Sequence, residues 1–282
     1  MRFPAILLVF SLSAAVPMRA VASEQSQASL ASLLDSPATK KSWGFTFVVS
    51  DNSNLRETND VDHSQYLQIT TKPTYHFNDA FKASLYVIHS QDLRGERDLT
   101  VYDSGISVAY SGFQANPYLK LSAASGSKLP LSKTWRDDQS LITTLSFAPR
   151  ATLDLSRTRL AMLGVYYEPV IRRSFHRYDV SASGTSNEQY RLVQSVGIGL
   201  ALSEKFSFSS VSSYSAFRTY RSAQYNKFSF DETISFQTTP ALSFDLGIGN
   251  TGDTLKDNAI DSNIALFDKN VSEVSLGATY VF

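Results

Sequence analysis

The chain has 282 residues, enough for one large β domain or two ordinary domains. It contains no cysteine, which excludes a disulfide framework, a thiolate metal site and a cysteine nucleophile. Its 26 basic and 26 acidic residues cancel to a formal net charge of zero, so the basic field that nucleic-acid binding requires is absent.

The first 22 residues have the organisation of a secretory signal peptide. Arg2 gives a basic start, residues 6–16 form an apolar core, and Ala20 and Ala22 fit the small-x-small cleavage pattern. We therefore predict a signal peptide at residues 1–22, and a mature chain that reaches at least the periplasm of a bacterium. No later apolar run approaches the roughly 20 residues of a membrane helix, so a membrane-spanning part could only be a β-barrel.

The next segment, residues 23–41, is polar and is predicted to lie in the periplasm. Leu30, Leu33 and Leu34 have helical spacing, and Pro37 marks a stop. Two interpretations remain open: a small helix that plugs the barrel, or a terminal tail, which is the commoner fate of such segments.

From residue 42 to residue 282, apolar and polar side chains alternate with the period of two that is typical of β-strands. Short turns, at residues 78–80, 111–112, 156–157, 203–205 and 239–240, alternate with longer polar loops, of which 168–189 is the longest. This asymmetry is typical of barrels with short periplasmic turns and long extracellular loops. We predict an all-β fold, a transmembrane antiparallel up-and-down β-barrel of about 12 strands with both termini periplasmic.

Aromatic side chains concentrate at two levels of these strands, as they do at the two interfaces of a bilayer. One set lies beside the short turns and includes Trp43, Tyr75, Phe77, Phe81, Tyr110, Phe206 and Phe282. The other lies near the loops and comprises Tyr66, Tyr86, Tyr102, Tyr166, Tyr167, Tyr190, Tyr214 and Tyr225. A soluble β-sandwich has no reason to place aromatic residues in two bands.

The last stretch, from Ser272 to Phe282, is a period-two strand that ends on an aromatic residue. Its apolar face consists of Val274, Leu276, Ala278, Tyr280 and Phe282. The stretch resembles the closing strand of Gram-negative outer-membrane β-barrels of porin-like type. That resemblance implies that Leu276, Ala278, Tyr280 and Phe282 form a membrane-insertion signal read by the barrel-insertion machinery, in contact with outer-membrane lipids and lipopolysaccharide.

Histidines and acidic loops offer little catalytic or metal-binding chemistry. Barrel phospholipases and lipid A deacylases place a histidine and its serine nucleophile two residues apart. None of the four histidines, His63, His76, His89 and His176, has that His-x-Ser spacing. Neither acidic loop, around residues 51–62 or 253–261, has the glycine-containing EF-hand pattern. We expect no catalytic residues, no metal and no cofactor.

Polar residues opposite the apolar face are expected to line the lumen, where inward cations would favour anionic solutes. The lumen candidates are Lys72, Lys82, Lys120, Arg191, Lys227, Gln114, Asn116 and Tyr118. A barrel of about 12 strands is wider than a filled eight-stranded barrel and narrower than a 16-stranded porin. The predicted function is therefore a channel for passive diffusion of small hydrophilic solutes, which can include anionic ones.

Two alternatives remain. If the charges pair across the lumen and close it, the barrel is structural or adhesive and acts through its loops. A lipid-modifying enzyme at the outer rim is the other. The basic stretch 168–189 is interpreted as a ligand for lipopolysaccharide phosphates, as an inward constriction, or as a solvated loop.

Overall fold

The computed structural model describes residues 42–57, 60, 62–94, 99–155, 158, 160–255, 262–268 and 271–282. The predicted signal peptide and the segment 23–41 lie outside the described residues. The described chain forms one closed antiparallel barrel of 12 strands in which sequential strands are neighbours. The strands are β1 (Trp43–Asn54), β2 (Gln65–His76), β3 (Phe81–Asp92), β4 (Leu99–Asn116), β5 (Leu119–Lys128), β6 (Leu141–Leu153), β7 (Leu163–His176), β8 (Glu188–Ala201), β9 (Phe206–Thr219), β10 (Gln224–Thr239), β11 (Leu242–Asp253) and β12 (Glu273–Val281).

The barrel closes by antiparallel pairing of β1 with β12. Phe47 lies opposite Tyr280 and Asn54 lies opposite Glu273, while the backbone N–H of Phe282 donates to the Phe45 carbonyl at 2.9 Å. Trp43 and Phe282 therefore lie at the same end of the barrel. Closure leaves no unpaired sheet edge, which is the condition for strands to cross an apolar layer.

Alternate residues of each strand form two surfaces of opposite character. The outward surface carries large apolar side chains exposed on the protein, such as Leu246 (53% exposed), Leu276 (62%) and Ile171 (57%). The inward surface is dominated by serine, threonine, glycine and charged residues. An apolar exterior around a polar interior is the pattern of a transmembrane barrel and the reverse of a soluble one.

The two rims of the barrel differ in the length of their connections. At the rim that carries Phe282, which we call the short-turn rim, four of five connections have two to four residues, and the exception is 154–162. At the opposite long-loop rim, five of six connections have six or more residues, and the exception is 220–223. The predicted asymmetry is present with one exception on each side. No helix in the described ranges is long and apolar enough to span a membrane.

Aromatic rings meet one another around the short-turn rim. The ring centroids of Trp43 and Tyr75 are 4.9 Å apart, and Tyr280 and Phe282 are 4.4 Å apart in an edge-on contact. Phe206 stacks on Phe236 across β9 and β10 at 4.7 Å. The predicted second set is divided, because the strand register turns Tyr66, Tyr86, Tyr166 and Tyr225 towards the lumen.

Besides the connection 154–162, where a short turn at residues 156–157 is predicted, two connections differ from the sequence prediction. The expected turn at residues 111–112 is wrong: β4 continues through it as a bulge and reverses only at residues 117–118. Gly112 permits this bulge, since its φ is +93° and a Cβ there would lie 2.0 Å from the Leu121 carbonyl oxygen. The predicted irregular stretch 168–189 is also wrong, because β7 runs to His176 and β8 begins at Glu188.

Candidate functional site

The strand register places four of the predicted lumen residues on the inward surface. Lys72 lies opposite Thr46 of β1, Lys82 lies opposite His76, and Arg191 lies opposite Arg172 of β7. Lys227 lies opposite Asp253 of β11. These residues come from β2, β3, β8 and β10, so they surround the lumen and do not form one cluster.

The other four candidates lie at the short-turn rim, on the hairpin of β4 and β5. Lys120 is opposite Gln114, whose amide donates to the Asn116 carbonyl at 2.8 Å. The Asn116 side chain accepts the backbone N–H of Tyr118 at 2.8 Å and so closes the hairpin tip. All four are exposed, and they lie at a mouth of the barrel because the bulge at Gly112 carries β4 beyond the end of its pairing with β3.

Ion pairs along the inward surface join residues that are neighbours in the wall. Lys128 contacts Asp103 at 2.7 Å between β5 and β4, and Arg150 pairs with Glu168 between β6 and β7. The remaining two are Arg191 with Glu188 and Lys227 with Asp253. Each pair joins one strand to itself or to the next strand, so none of these pairs crosses the lumen.

Aromatic rings hold two of the arginines against the wall. The guanidinium of Arg191 lies 4.3 Å from the ring centre of Phe217, which stacks on Tyr225 at 4.5 Å. Arg150 lies 4.4 Å above the Tyr166 ring. Cation–π contacts of this kind orient a guanidinium while leaving its hydrogen-bonding edge available.

A glycine lies beneath the Tyr166 ring. A Cβ at Gly197 would meet two atoms of that ring at 2.1 and 2.3 Å and the phenolic oxygen at 2.6 Å, so only glycine lets the ring lie against β8. The same arrangement recurs where Tyr86 covers Gly105, with a Cβ–ring distance of 2.7 Å. These two close approaches fix tyrosine rings on the lumen wall.

Arg172 is a lumen cation that takes no part in the ion pairs. It lines a cavity of about 150 Å³ together with Tyr86, Asp103, Lys128 and Ser146. No hydrogen bond or ion pair joins its guanidinium to another residue in the described part of the chain. Since Asp103 is engaged by Lys128, an anion entering this cavity would meet Arg172 with its donors unsatisfied.

Acidic residues collect on the other side of the lumen, on β10, β11 and β12. Asp231 lies against Gly249, and its Oδ2 is buried with no hydrogen-bond partner among the described residues. Asp245 accepts a hydrogen bond from Thr279 at 3.3 Å, and Glu273 accepts one from Tyr66 at 2.9 Å. The inward surface is therefore divided into a basic and an acidic side.

Two loops are joined over the basic side at the long-loop rim. Trp135, in a short π-helical turn (Thr134–Asp138), donates to the Tyr102 carbonyl at 3.2 Å and covers the Lys128 ammonium at 4.1 Å. The backbone N–H of Ala182 donates to the Asp138 carbonyl at 2.8 Å. The loops after β5 and β7 are thus joined to each other at this rim, and the first of them packs on the basic side of the lumen.

In the described parts of the acidic loops, the carboxylates interact with residues close to them in the structure. Arg56 pairs with Asp62 at 2.7 Å, and Asp51 accepts from Gln65 at 2.9 Å. No group of three potential metal ligands occurs within the described ranges, and positions 257 and 261 lie outside them. His89 lies on the outward surface of β3 and forms no hydrogen bond with a described residue.

The residues that make up the basic side of the lumen, called the basic wall below, are not among the lumen residues predicted from the sequence. Lys128, Arg172, Glu168 and Glu188 fall within predicted loops, and Arg150 falls within a long predicted strand without being singled out. A usable signal exists in β7, where Val170, Arg172 and Ser174 alternate with Ile171, Arg173 and Phe175. It is hidden because arginines occur in both alternating sets.

The closed register, apolar exterior and polar lumen define a 12-stranded transmembrane β-barrel with the architecture of outer-membrane barrels. No protein-family profile matches the chain, and no curated protein matches its sequence. The likeness to known proteins is therefore one of fold alone.

Solved outer-membrane channels share this architecture. The structure is similar to an outer-membrane channel from Pseudomonas putida F1, with a TM-score of 0.57, 10% identity, and coverage of 88% of this chain and all of the other. The NanC porin matches at 0.53 with 12% identity, covering 84% and 98% of the two chains. The KdgM porin matches at 0.50 with 8% identity, covering 84% and 99%.

Proposed function

We propose that this barrel is a channel in the outer membrane for passive diffusion of small hydrophilic solutes, with a preference for anions. The observation that carries the proposal is the lateral arrangement of the ion pairs. Because each of the four pairs described above lies within the wall, none of these four closes the lumen. Arg172 then supplies a cation outside the ion pairs beside the path, in a low-dielectric setting where screening is weak.

The proposed preference for anions depends on the cations that face the lumen. Inward charges of both signs are present, so a preference depends on which group outside the ion pairs lies nearest the passing ion. Arg172 borders a cavity, whereas Arg191, a predicted lumen cation, is held by Glu188 at 3.0 Å and by Phe217. We infer that Arg172 contributes more to selectivity than Arg191, Lys120 or Lys227.

The test is single-channel conductance of the refolded protein in a planar bilayer, with reversal potentials measured in a salt gradient. We expect steady openings and an anion preference that Arg172→Gln weakens. Arg173→Gln is the matched control, because the neighbouring arginine faces outward and stacks on Phe175 and Tyr190. A folded, heat-modifiable barrel that stays silent would contradict the channel and favour a structural or adhesive barrel.

We further propose that both termini face the periplasm and that the outward surface of β12 is the insertion signal. Leu276, Ala278 and Tyr280 lie on that surface, and Phe282 is exposed beside the short-turn rim. Replacing Phe282 with Ser should slow assembly in cells more than refolding in detergent, as read by heat-modifiability. An equal effect on both would contradict a role in recognition.

A further inference from the structure

The outward surface carries few charges, and one of them lies where hydrocarbon would surround it. Three lie towards the long-loop rim, and the register of the described strands places a fourth at the middle of β10; they are Asp51, Arg173, Arg218 and Glu232. Asp51 accepts from Gln65 and Arg173 stacks on two aromatic rings, so both have partners. Arg218 is the next-to-last residue of β9, close to the long-loop rim, so of these four charges only Glu232 lies at mid-depth without a partner among the described residues.

Glu232 projects from the midpoint of the longest strand on that side of the barrel. Its neighbours across the sheet are Ser210 on β9 and Ile248 on β11, and along the strand it is flanked by Phe230 and Ile234. The side chain is exposed, and no described residue donates a hydrogen bond or a charge to it. A carboxyl group in hydrocarbon needs such a partner in either protonation state.

Small hydroxyl side chains lie beside this carboxyl group. Ser210 and Ser212 face outward at the middle of β9, with Val196 and Ile198 of β8 opposite them. Between these apolar residues and Phe230, the serines form a shallow strip of low relief. Small residues and serine hydroxyls at mid-membrane depth are typical of protein–protein contacts, because they let backbones approach and hydrogen-bond.

The residues of this patch favour a second copy of the same chain over lipid as the binding partner. Lipid head groups lie at the interfaces and not at mid-depth, so a lipid offers Glu232 no donor. The patch contains an acceptor and, one strand away, two donors, so a two-fold rotation brings each carboxyl group to the serines of the other copy. Such self-complementarity is the requirement for an isologous contact.

We propose that the outward surface of β9 and β10 around Glu232, Ser210 and Ser212 is the contact surface of a homodimer in the membrane. The two-fold axis runs along the membrane normal, and each Glu232 accepts hydrogen bonds from the serine hydroxyls of the second copy. The lumen lies on the opposite face of these strands, so dimerisation and conduction are separate properties.

Disulfide cross-linking tests the contact directly, since the chain has no cysteine of its own. We would compare Ser212→Cys with Ser125→Cys, an exposed outward serine in the middle of β5, on another side of the barrel. In oxidised outer membranes, Ser212→Cys should give a disulfide dimer and Ser125→Cys only background. Equal yields, or an adduct of Ser212→Cys with a different protein, would overturn the proposal.

Substitution of the carboxyl group supplies an independent readout. Glu232→Leu should weaken dimerisation by about tenfold, the combined effect of two symmetry-related membrane hydrogen bonds, whereas Glu232→Gln should retain it. Counting subunits by single-molecule photobleaching in vesicles gives the dimerisation constant of each variant. An unchanged constant in Glu232→Leu, or a wild-type protein that is monomeric at every density, would overturn the proposal. Ser210→Cys replaces Ser212→Cys if the latter does not fold.

Discussion

The basic and acidic walls of the lumen achieve charge compensation to different degrees. On the basic wall, β4 to β8, the carboxylates of Asp103, Glu168 and Glu188 are each paired with a cation, and Arg172 is left over. On the acidic wall, the described strands β10 to β12 contain a single cation, Lys227, whose contact with Asp253 is 3.7 Å long. The barrel is therefore crossed by a transverse field, although its formal charges cancel.

Net charge therefore says little about the selectivity of such a barrel. Lateral ion pairs and rings stacked on guanidinium groups fill the basic wall, whereas on the acidic wall Asp231 lies beside a residue without a side chain, Gly249. Breaking an ion pair of the basic wall should therefore affect stability most, whereas replacing Arg172, which lies outside the ion pairs, should affect permeation most.

The largest effect is expected from breaking a pair on the basic wall. Glu168→Ala leaves Arg150 half-buried without its carboxylate, and should lower the free energy of unfolding by about 3 kcal/mol. Urea denaturation in lipid vesicles measures it. The double variant Glu168→Ala/Arg150→Ala should recover much of the loss; no recovery would contradict the ion pair as the cause.

The next comparison is the loss of stability when a glycine on each wall is replaced by alanine, which adds one methyl group. Gly197→Ala drives a Cβ into the Tyr166 ring and should cost about 2 kcal/mol. Gly249→Ala meets only the Asp231 carboxylate at 3.0 Å, which can turn aside, and should cost less. Gly44, with contacts of 3.8 Å or more, is the control position. Equal losses in the free energy of unfolding at residues 197 and 249 would mean that the two walls accommodate an added methyl group equally well.

Arg172 should dominate selectivity. Replacing it with Gln is expected to reduce the anion-to-cation permeability ratio by about fivefold, equivalent to about 1 kcal/mol of electrostatic stabilisation. Reversal potentials at low salt give the ratio. If Arg191→Gln or Lys227→Gln has the larger effect, the assignment of Arg172 is wrong.

The smallest change should come from the acidic wall. Asp231→Asn removes a carboxylate whose Oδ2 is buried without a partner among the described residues, and should raise stability by about 1 kcal/mol. Removing a negative charge should also increase anion preference slightly. Thermal unfolding and reversal potentials of the same preparation would show both. A destabilised variant would indicate that Asp231 has a partner outside the described residues.

The sequence predicts the barrel better than the lumen, for a physical reason. Period-two alternation and aromatic residues at turns follow from the bilayer, which acts on every strand. Charge placement inside the lumen is set by pairing between strands, which depends on register. Arg172 and Arg173 are adjacent and face opposite ways, and no pattern along β7 separates them until β8 is aligned.

Two other features, the bulge at Gly112 and the outward Glu232, are also not predicted from the sequence. The prediction of a turn at residues 111–112 takes glycine as a signal of chain reversal, whereas Gly112 serves a bulge. The outward Glu232 escapes prediction because outward positions are expected to be apolar. Departures from a pattern imposed by lipid indicate places where the surroundings are not lipid.

Closure between β1 and β12 also constrains the order of assembly. The strand that must meet β1 is the last of the barrel in chain order, so an assembling sheet that starts at β1 keeps an open edge until ten further strands have been added and β12 docks. An unpaired edge invites pairing with other chains. The seam therefore sets a kinetic vulnerability, and the rate at which β12 docks determines how long the unfinished sheet must be shielded from aggregation.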